Sequence, residues 1–180
     1  MAYLLALLNR CCGQIPFMRP LSVSAAKFQE AGKHSSYSVN NGVAVIKLDS
    51  PGSKVNSLNE EVMQEMEVLF NKFQADPSAR AAVLISGKPG CFIAGADIKM
   101  IENCKSEAEA TALSKGGQDF FFRMESSPKP IVAAIMGSCM GGGLETAMAC
   151  QYRIAIDGRM KLCIKFAFAD FIFLQASRPI

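Results

Sequence analysis

The chain has 180 residues, half of them hydrophobic, which supports one domain with a true core and excludes a disordered chain. A formal net charge of +3, with no block of like charges, excludes nucleic acid as the partner composition would point to. One histidine, His34, and seven cysteines without a Cys-x-x-Cys pair argue against a metal site and against a histidine-based nucleophile in the fold.

The N-terminus comes first. Met1 to Gln29 holds no acidic residue, carries Arg10, Arg19 and Lys27, and is leucine-rich at its front. That pattern predicts a mitochondrial transit peptide over residues 1–33 and a mitochondrial location, in the matrix or, by the resemblance given below alone, at the inner membrane. Arg10 interrupts the apolar run Leu4 to Leu8, which argues against a secretory signal. His34 is accordingly set before the globular part. Tyr37 to Asp49 predicts two strands joined at Asn41-Gly42, a strong hairpin signal. Ser57 with Glu60 reads as a capping box opening a helix. Leu58, Val62, Met66, Leu69, Phe70 and Phe73 give that helix its core face, and Asp76-Pro77 ends it.

Ala81 to Ser86 reads as a buried strand, and Gly87 to Gly90 as a turn. Cys91 to Lys99 leads into a short helix with Asp97 as its N-cap. Ser106 with Glu109 opens a helix running to about Glu125, with Phe120, Phe121 and Phe122 partly buried. The alternation of strands and helices predicts an α/β layered fold. The cysteines read as buried free thiols.

The most informative stretch is Ile131-Val-Ala-Ala-Ile-Met-Gly-Ser-Cys-Met-Gly-Gly-Gly-Leu-Glu145. It predicts a buried strand after Pro128 and Pro130, a glycine turn, then a helix. Successive glycines let main-chain N–H groups approach a ligand, and a helix start aims its positive dipole end there. Such a place favours negative charge developing on oxygen. Glu145 falls in the first turn, where the dipole favours an ionised carboxylate. An oxyanion pocket beside a carboxylate base is the chemistry these residues suggest.

Three stretches together, Lys54-Val-Asn-Ser-Leu58, Phe92-Ile-Ala-Gly-Ala-Asp-Ile-Lys99 and Ile131 to Glu145, resemble the crotonase (enoyl-CoA hydratase/isomerase) family. Finer wording, Leu84 to Asp97 and Cys150 to Ala155, looks like the hydratase domain of trifunctional-enzyme alpha subunits within that family. The resemblance implies an α/β fold of ββα units wound as a spiral, an acyl-CoA thioester substrate, and hydration of 2-enoyl-CoA to 3-hydroxyacyl-CoA in fatty acid β-oxidation. It implies an oxyanion hole at Ala96 and Gly142 and a catalytic role for Glu145. Substrate-binding positions carried over are Ala96, Asp97, Ile98, Lys99 and Gly142. No cofactor and no metal are expected: coenzyme A is part of the substrate, and NAD would serve only a downstream domain. Trifunctional-enzyme subunits and the inner membrane are partners by resemblance alone.

The sequence departs from the family pattern after Ala155. No glutamate follows Glu145, whereas the hydratases carry a second one in a Gly-x-Pro-Glu segment. The expected organisation is a transit peptide over 1–33, a partial crotonase domain with an incomplete spiral over 34–155, and a divergent apolar tail over 156–180. Impaired hydration follows as an expectation. The alternatives are a non-catalytic product that binds acyl-CoA or full-length subunits, or an enoyl-CoA isomerase.

Overall fold

The computed structural model describes residues 30–155 and 162–163. The expected transit peptide up to residue 29 and the tail after Ala155, the backbone of 162–163 apart, lie outside the described residues. Strands β1 (Glu30–Ala31), β2 (Ser35–Asn40) and β3 (Val43–Leu48) form an antiparallel ribbon. Its tight turn has Asn41 at φ 52° and Gly42 at φ 82°, the left-handed pair that matches strand twist. Helix α1 (Glu60–Ala75) follows, then β4 (Ala81–Ser86) and β5 (Cys91–Ile93). Helices α2 (Ile98–Glu102) and α3 (Glu107–Glu125) precede β6 (Ile131–Ile135) and β7 (Ser138–Met140). Helix α4 (Gly142–Ala149), β8 (Tyr152–Ala155) and β9 (Leu162–Cys163) complete the described elements.

Two sheets result. One has six strands in the order β1-β2-β3-β4-β6-β8, parallel from β3 onward, and the other has the parallel order β5-β7-β9. Successive turns of chain place β4, β6 and β8 in the first sheet and β5, β7 and β9 in the second. This is a ββα spiral, as the resemblance implies. The core lies against the first sheet. Val62, Met66, Leu69, Phe70 and Phe73 of α1 are all buried, and alternate residues of β3, β4 and β6 meet them. Burying each large apolar side chain contributes roughly 1.5–3 kcal/mol. Phe120 packs edge-on to Phe70 with ring centroids 5.9 Å apart.

Four expectations change. First, the fold starts before Lys33: β1 pairs with β2, and His34 is buried. Glu65 of α1 draws this segment in, accepting the backbone N–H groups of Lys33 and His34 and the Ser35 hydroxyl. Second, α1 is capped by Asn59, whose side chain accepts from Val62 N at 2.8 Å, and not by Ser57. Leu58 is the reason. Its N–H and carbonyl both bond to the segment around Ala96, so the chain cannot turn helical until it has passed Leu58. Third, only Phe120 and Phe121 are buried; Phe122 faces outward. Fourth, β5 and β7 are strands where the sequence suggests a lead-in and a turn. The caps at Asp97 and Ser106 stand as the sequence implies, accepting from Lys99 N and Glu109 N. Cys91, Cys139 and Cys150 are buried and free.

Candidate active site

Two chain crossings meet at the end of the small sheet. One is the bend that leaves β5, Ala94-Gly95-Ala96-Asp97. The other is the step from β7 through Gly141 into α4. Residues 56–58 brace the first bend. Ala94 N donates to Asn56 O at 2.8 Å, Leu58 N to Gly95 O at 2.8 Å, and Asp97 N to Leu58 O at 3.0 Å. Leu58 and Ala96 therefore form a parallel bridge. In such a bridge the residue flanked by the bonds turns its own N–H the other way. No acceptor among the described residues takes the Ala96 N–H.

The second crossing approaches the first very closely. Gly95 has φ +111°, and a methyl there would lie 3.1 Å from Met140 O. A methyl on Gly143 would fall 2.3 Å from Ile93 O, so only glycine lets the first turn of α4 rest on β5. The helix opens without a side-chain cap: Leu144 N and Glu145 N both donate to Gly141 O, and the N–H of Gly142 has no acceptor among the described residues.

Gly142 marks where these groups converge. A methyl built on it would lie 3.7 Å from Ala96 N, 3.7 Å from Glu145 Oε2 and 3.0 Å from Leu58 Cδ1. Ala96, Gly142 and Glu145 thus surround one small space, walled on one side by Leu58. Glu145 is half-buried, and no hydrogen bond or ion pair from a described residue reaches its carboxylate. Burial pushes its pKa above the ordinary glutamate range. Burial thus acts in the direction opposite to the one the dipole at the helix start favours. Two unclaimed amide donors beside a carboxyl group that holds its proton more tightly suit an oxygen that gains charge while a proton moves.

The other positions carried over lie along the same rim. Asp97 Oδ1 accepts from Lys99 N at 2.9 Å, so Asp97 caps α2. Ile98 is 70% exposed and Lys99 is exposed, both next to the bend. Asn56 carries no role in the sequence reading although it lies in the first motif, and Leu58, read there as part of the helix face, lies ahead of α1 and walls the site instead. No local signal singles out Asn56, which follows the loop at 50–53 where an asparagine is ordinary.

A family model described as enoyl-CoA hydratase/isomerase matches residues 38–162. The chain belongs to that family. Among relatives of this hydratase/isomerase chain is the "fatty acid oxidation complex subunit alpha" of Idiomarina loihiensis. It is 49% identical over 116 residues, which are 64% of this chain and 16% of that protein. The protein of the same description from Shewanella loihica is 44% identical over 119 residues, 66% of this chain and 17% of that one. The chain therefore spans about a sixth of the length of these curated relatives. A solved enoyl-CoA hydratase of Geobacillus kaustophilus superposes with TM-score 0.69 at 26% identity, covering 74% of this chain and 49% of that one. One from Thermoplasma volcanium gives 0.66 at 27% identity, covering 73% and 52%.

Two other places compete for attention. A surface groove of about 440 Å³ runs between β2 and α1, with Lys33, Glu61, Glu65 and Val68 on its walls. Its charged groups are engaged with one another: Glu65 accepts the backbone N–H groups of Lys33 and His34, and Lys33 Nζ donates to Glu61. Beside it His34 links Ser50 to Glu61, with Nδ1 3.1 Å from Ser50 Oγ and Nε2 2.7 Å from Glu61 Oε2. A serine, a histidine and an acid in line were not foreseen from sequence, which sets His34 outside the fold. Ser50 is buried and does not line the groove, so the line presents no nucleophile to a substrate.

Proposed function

We propose that this chain is a hydratase-type domain of fatty acid β-oxidation that binds a 2-enoyl-CoA thioester. In this reading the N–H groups of Ala96 and Gly142 donate to the thioester carbonyl oxygen. Glu145 takes a proton from water as the oxygen of that water bonds to C3. The C2=C3 electron pair moves onto the carbonyl oxygen as an enolate, and a proton delivered to C2 restores the thioester. A preorganised donor contributes roughly 3–4 kcal/mol to such a transition state. The raised proton affinity of Glu145 makes it a better proton acceptor than an ordinary glutamate. The observation that carries the reading is the meeting of Ala96 N, Gly142 and Glu145 Oε2 around one point.

Within the 180 residues Glu145 is the last glutamate. The reading therefore holds hydration by this polypeptide to be impaired, because losing one proton-transfer partner commonly costs ~10²–10⁴-fold. Binding of the thioester and polarisation of its carbonyl survive. The location proposed is mitochondrial, on the acid-free, arginine-bearing N-terminus. The test follows the ultraviolet band of a 2-enoyl-CoA with purified protein. Saturable binding without appreciable loss of the band supports the reading. Hydration at an ordinary enzymic rate refutes the impairment, and absence of any binding refutes the assignment of the site.

A further inference from the structure

We propose that Asn56 is a positioning residue for the donor pair, fixing the aim of the Ala96 N–H and the seat of α4 from behind. The inference rests on the reading of Ala96 and Gly142 as joint donors. Asn56 is 1% exposed, and its side chain is fully engaged. Its Oδ1 accepts from Ser50 N at 3.0 Å. Its Nδ2 donates to Leu48 O at 3.0 Å and Ser86 Oγ at 2.9 Å, with Phe92 O a longer contact at 3.4 Å.

These partners are not scattered. Leu48 ends β3, Ser86 ends β4 and Phe92 is the middle of β5. One planar amide thus joins the large sheet to the small one where the reacting end lies. The main chain of Asn56 adds a further tie, because its carbonyl takes the N–H of Ala94. Contacts at Phe92 O and Ala94 N bracket Ile93, and Ile93 O is the atom on which Gly143 rests. Both amides are consequently referenced to Asn56: Ala96 through the bend that starts at Ala94, and Gly142 through the seat of its helix on Ile93.

The residue type is dictated by the partners. Two carbonyls and a hydroxyl need donors, and the Ser50 N–H needs an acceptor. An aspartate would place a carboxylate against Leu48 O; an alanine or serine would leave buried groups unpaired. Polar groups in a low-dielectric interior hold direction well, and a donor pair loses effect steeply when its aim drifts.

The experiment uses acetoacetyl-CoA, a β-ketoacyl thioester whose enolate absorbs in the near ultraviolet. Titrating that band with pH, free and bound to the full chain, reads how far the site favours an oxyanion. The parent chain lowers the ionisation pH of the bound thioester. Asn56→Ala is expected to return about one pH unit of that shift, tenfold in the ionisation constant. Binding of butyryl-CoA, which forms no enolate under these conditions, changes less than about threefold, as expected for misaimed donors rather than a lost pocket. A merely structural role would leave the ionisation shift intact in whatever fraction stays folded. Should Asn56→Ala lose its cooperative melt, Ser86→Ala carries the test, since it removes one acceptor of Asn56, along with the bond from Lys88 N, and leaves the main-chain bonds of Asn56 in place. A smaller loss of the same sign supports the proposal. An unchanged shift in either folded variant overturns it and leaves the donor reading standing. No ionisation shift in the parent chain overturns the donor reading, and this inference with it.

Discussion

Replacing Gly143 by alanine probes the contact on which the site geometry depends. The added methyl would lie 2.3 Å from Ile93 O, 2.7 Å from Ile93 Cβ and 2.9 Å from Ile93 C. An ordinary contact begins near 3.4 Å, so the first turn of α4 must retreat by about 1 Å. The obstacle is main chain held in β5, which cannot swing aside as a side-chain tip could. Overpacking of this kind costs typically ~1–3 kcal/mol. The same retreat carries Gly142 away from Ala96, and a 1 Å misplacement can cost ~10²-fold in a positioned reaction. A matched control exists in α3, where a methyl on Gly116 meets nothing within 4 Å. Gly116→Ala should stabilise by about 0.4–1 kcal/mol, through helix propensity and a less free unfolded chain. Urea unfolding of the two variants beside the parent gives the stabilities, and the acetoacetyl-CoA titration gives the site. Equal stability of Gly143→Ala and the parent, with an unchanged ionisation shift, would refute the close approach of α4 to β5.

Further outcomes follow from single residues. Burial raises the pKa of Glu145 in the folded chain above its unfolded value, so its contribution to stability is present below the unfolded pKa and is lost as pH rises through the folded one. Glu145→Gln should therefore unfold at higher denaturant than the parent near neutrality. The advantage should vanish below about pH 4, and an advantage that grows with acid would reverse the sign of the argument. Ser38 Oγ is buried on β2 without a hydrogen-bond partner among the described residues, so Ser38→Ala should hold or raise the stability in urea, by up to about 1 kcal/mol. A loss of more than that would show an unseen partner. Asn59→Ala should cost about 1 kcal/mol and Ser57→Ala much less, because Asn59 caps α1. The reverse ranking in thermal or urea unfolding would restore the capping box at Ser57.

Much of the site was legible because its signals are local. A glycine run after a buried strand and before a helix states where a main chain can come close, and Glu145 lies within the first turn of that helix by count alone. The hairpin at Asn41-Gly42 and the apolar face of α1 are equally local. What sequence hid depends on pairing at a distance. Strands β5 and β7 have three residues each, too few to show a period, and they exist because each finds the other in the small sheet. Ser57 loses the cap because Leu58 is claimed by Gly95 and Asp97, nearly forty positions on. His34 enters the fold because Glu61 and Glu65 on α1 reach back for it and for the adjoining backbone. Asn56 gains its place only when the ends of β3 and β4 and the middle of β5 come together around it.

The most direct test of the account is amide NMR during addition of butyryl-CoA to the isotope-labelled chain. If the N–H groups of Ala96 and Gly142 hold one carbonyl oxygen, both resonances move downfield together and saturate with a single dissociation constant. Movement of only one of them, or of neither while the thioester binds, would contradict the shared site.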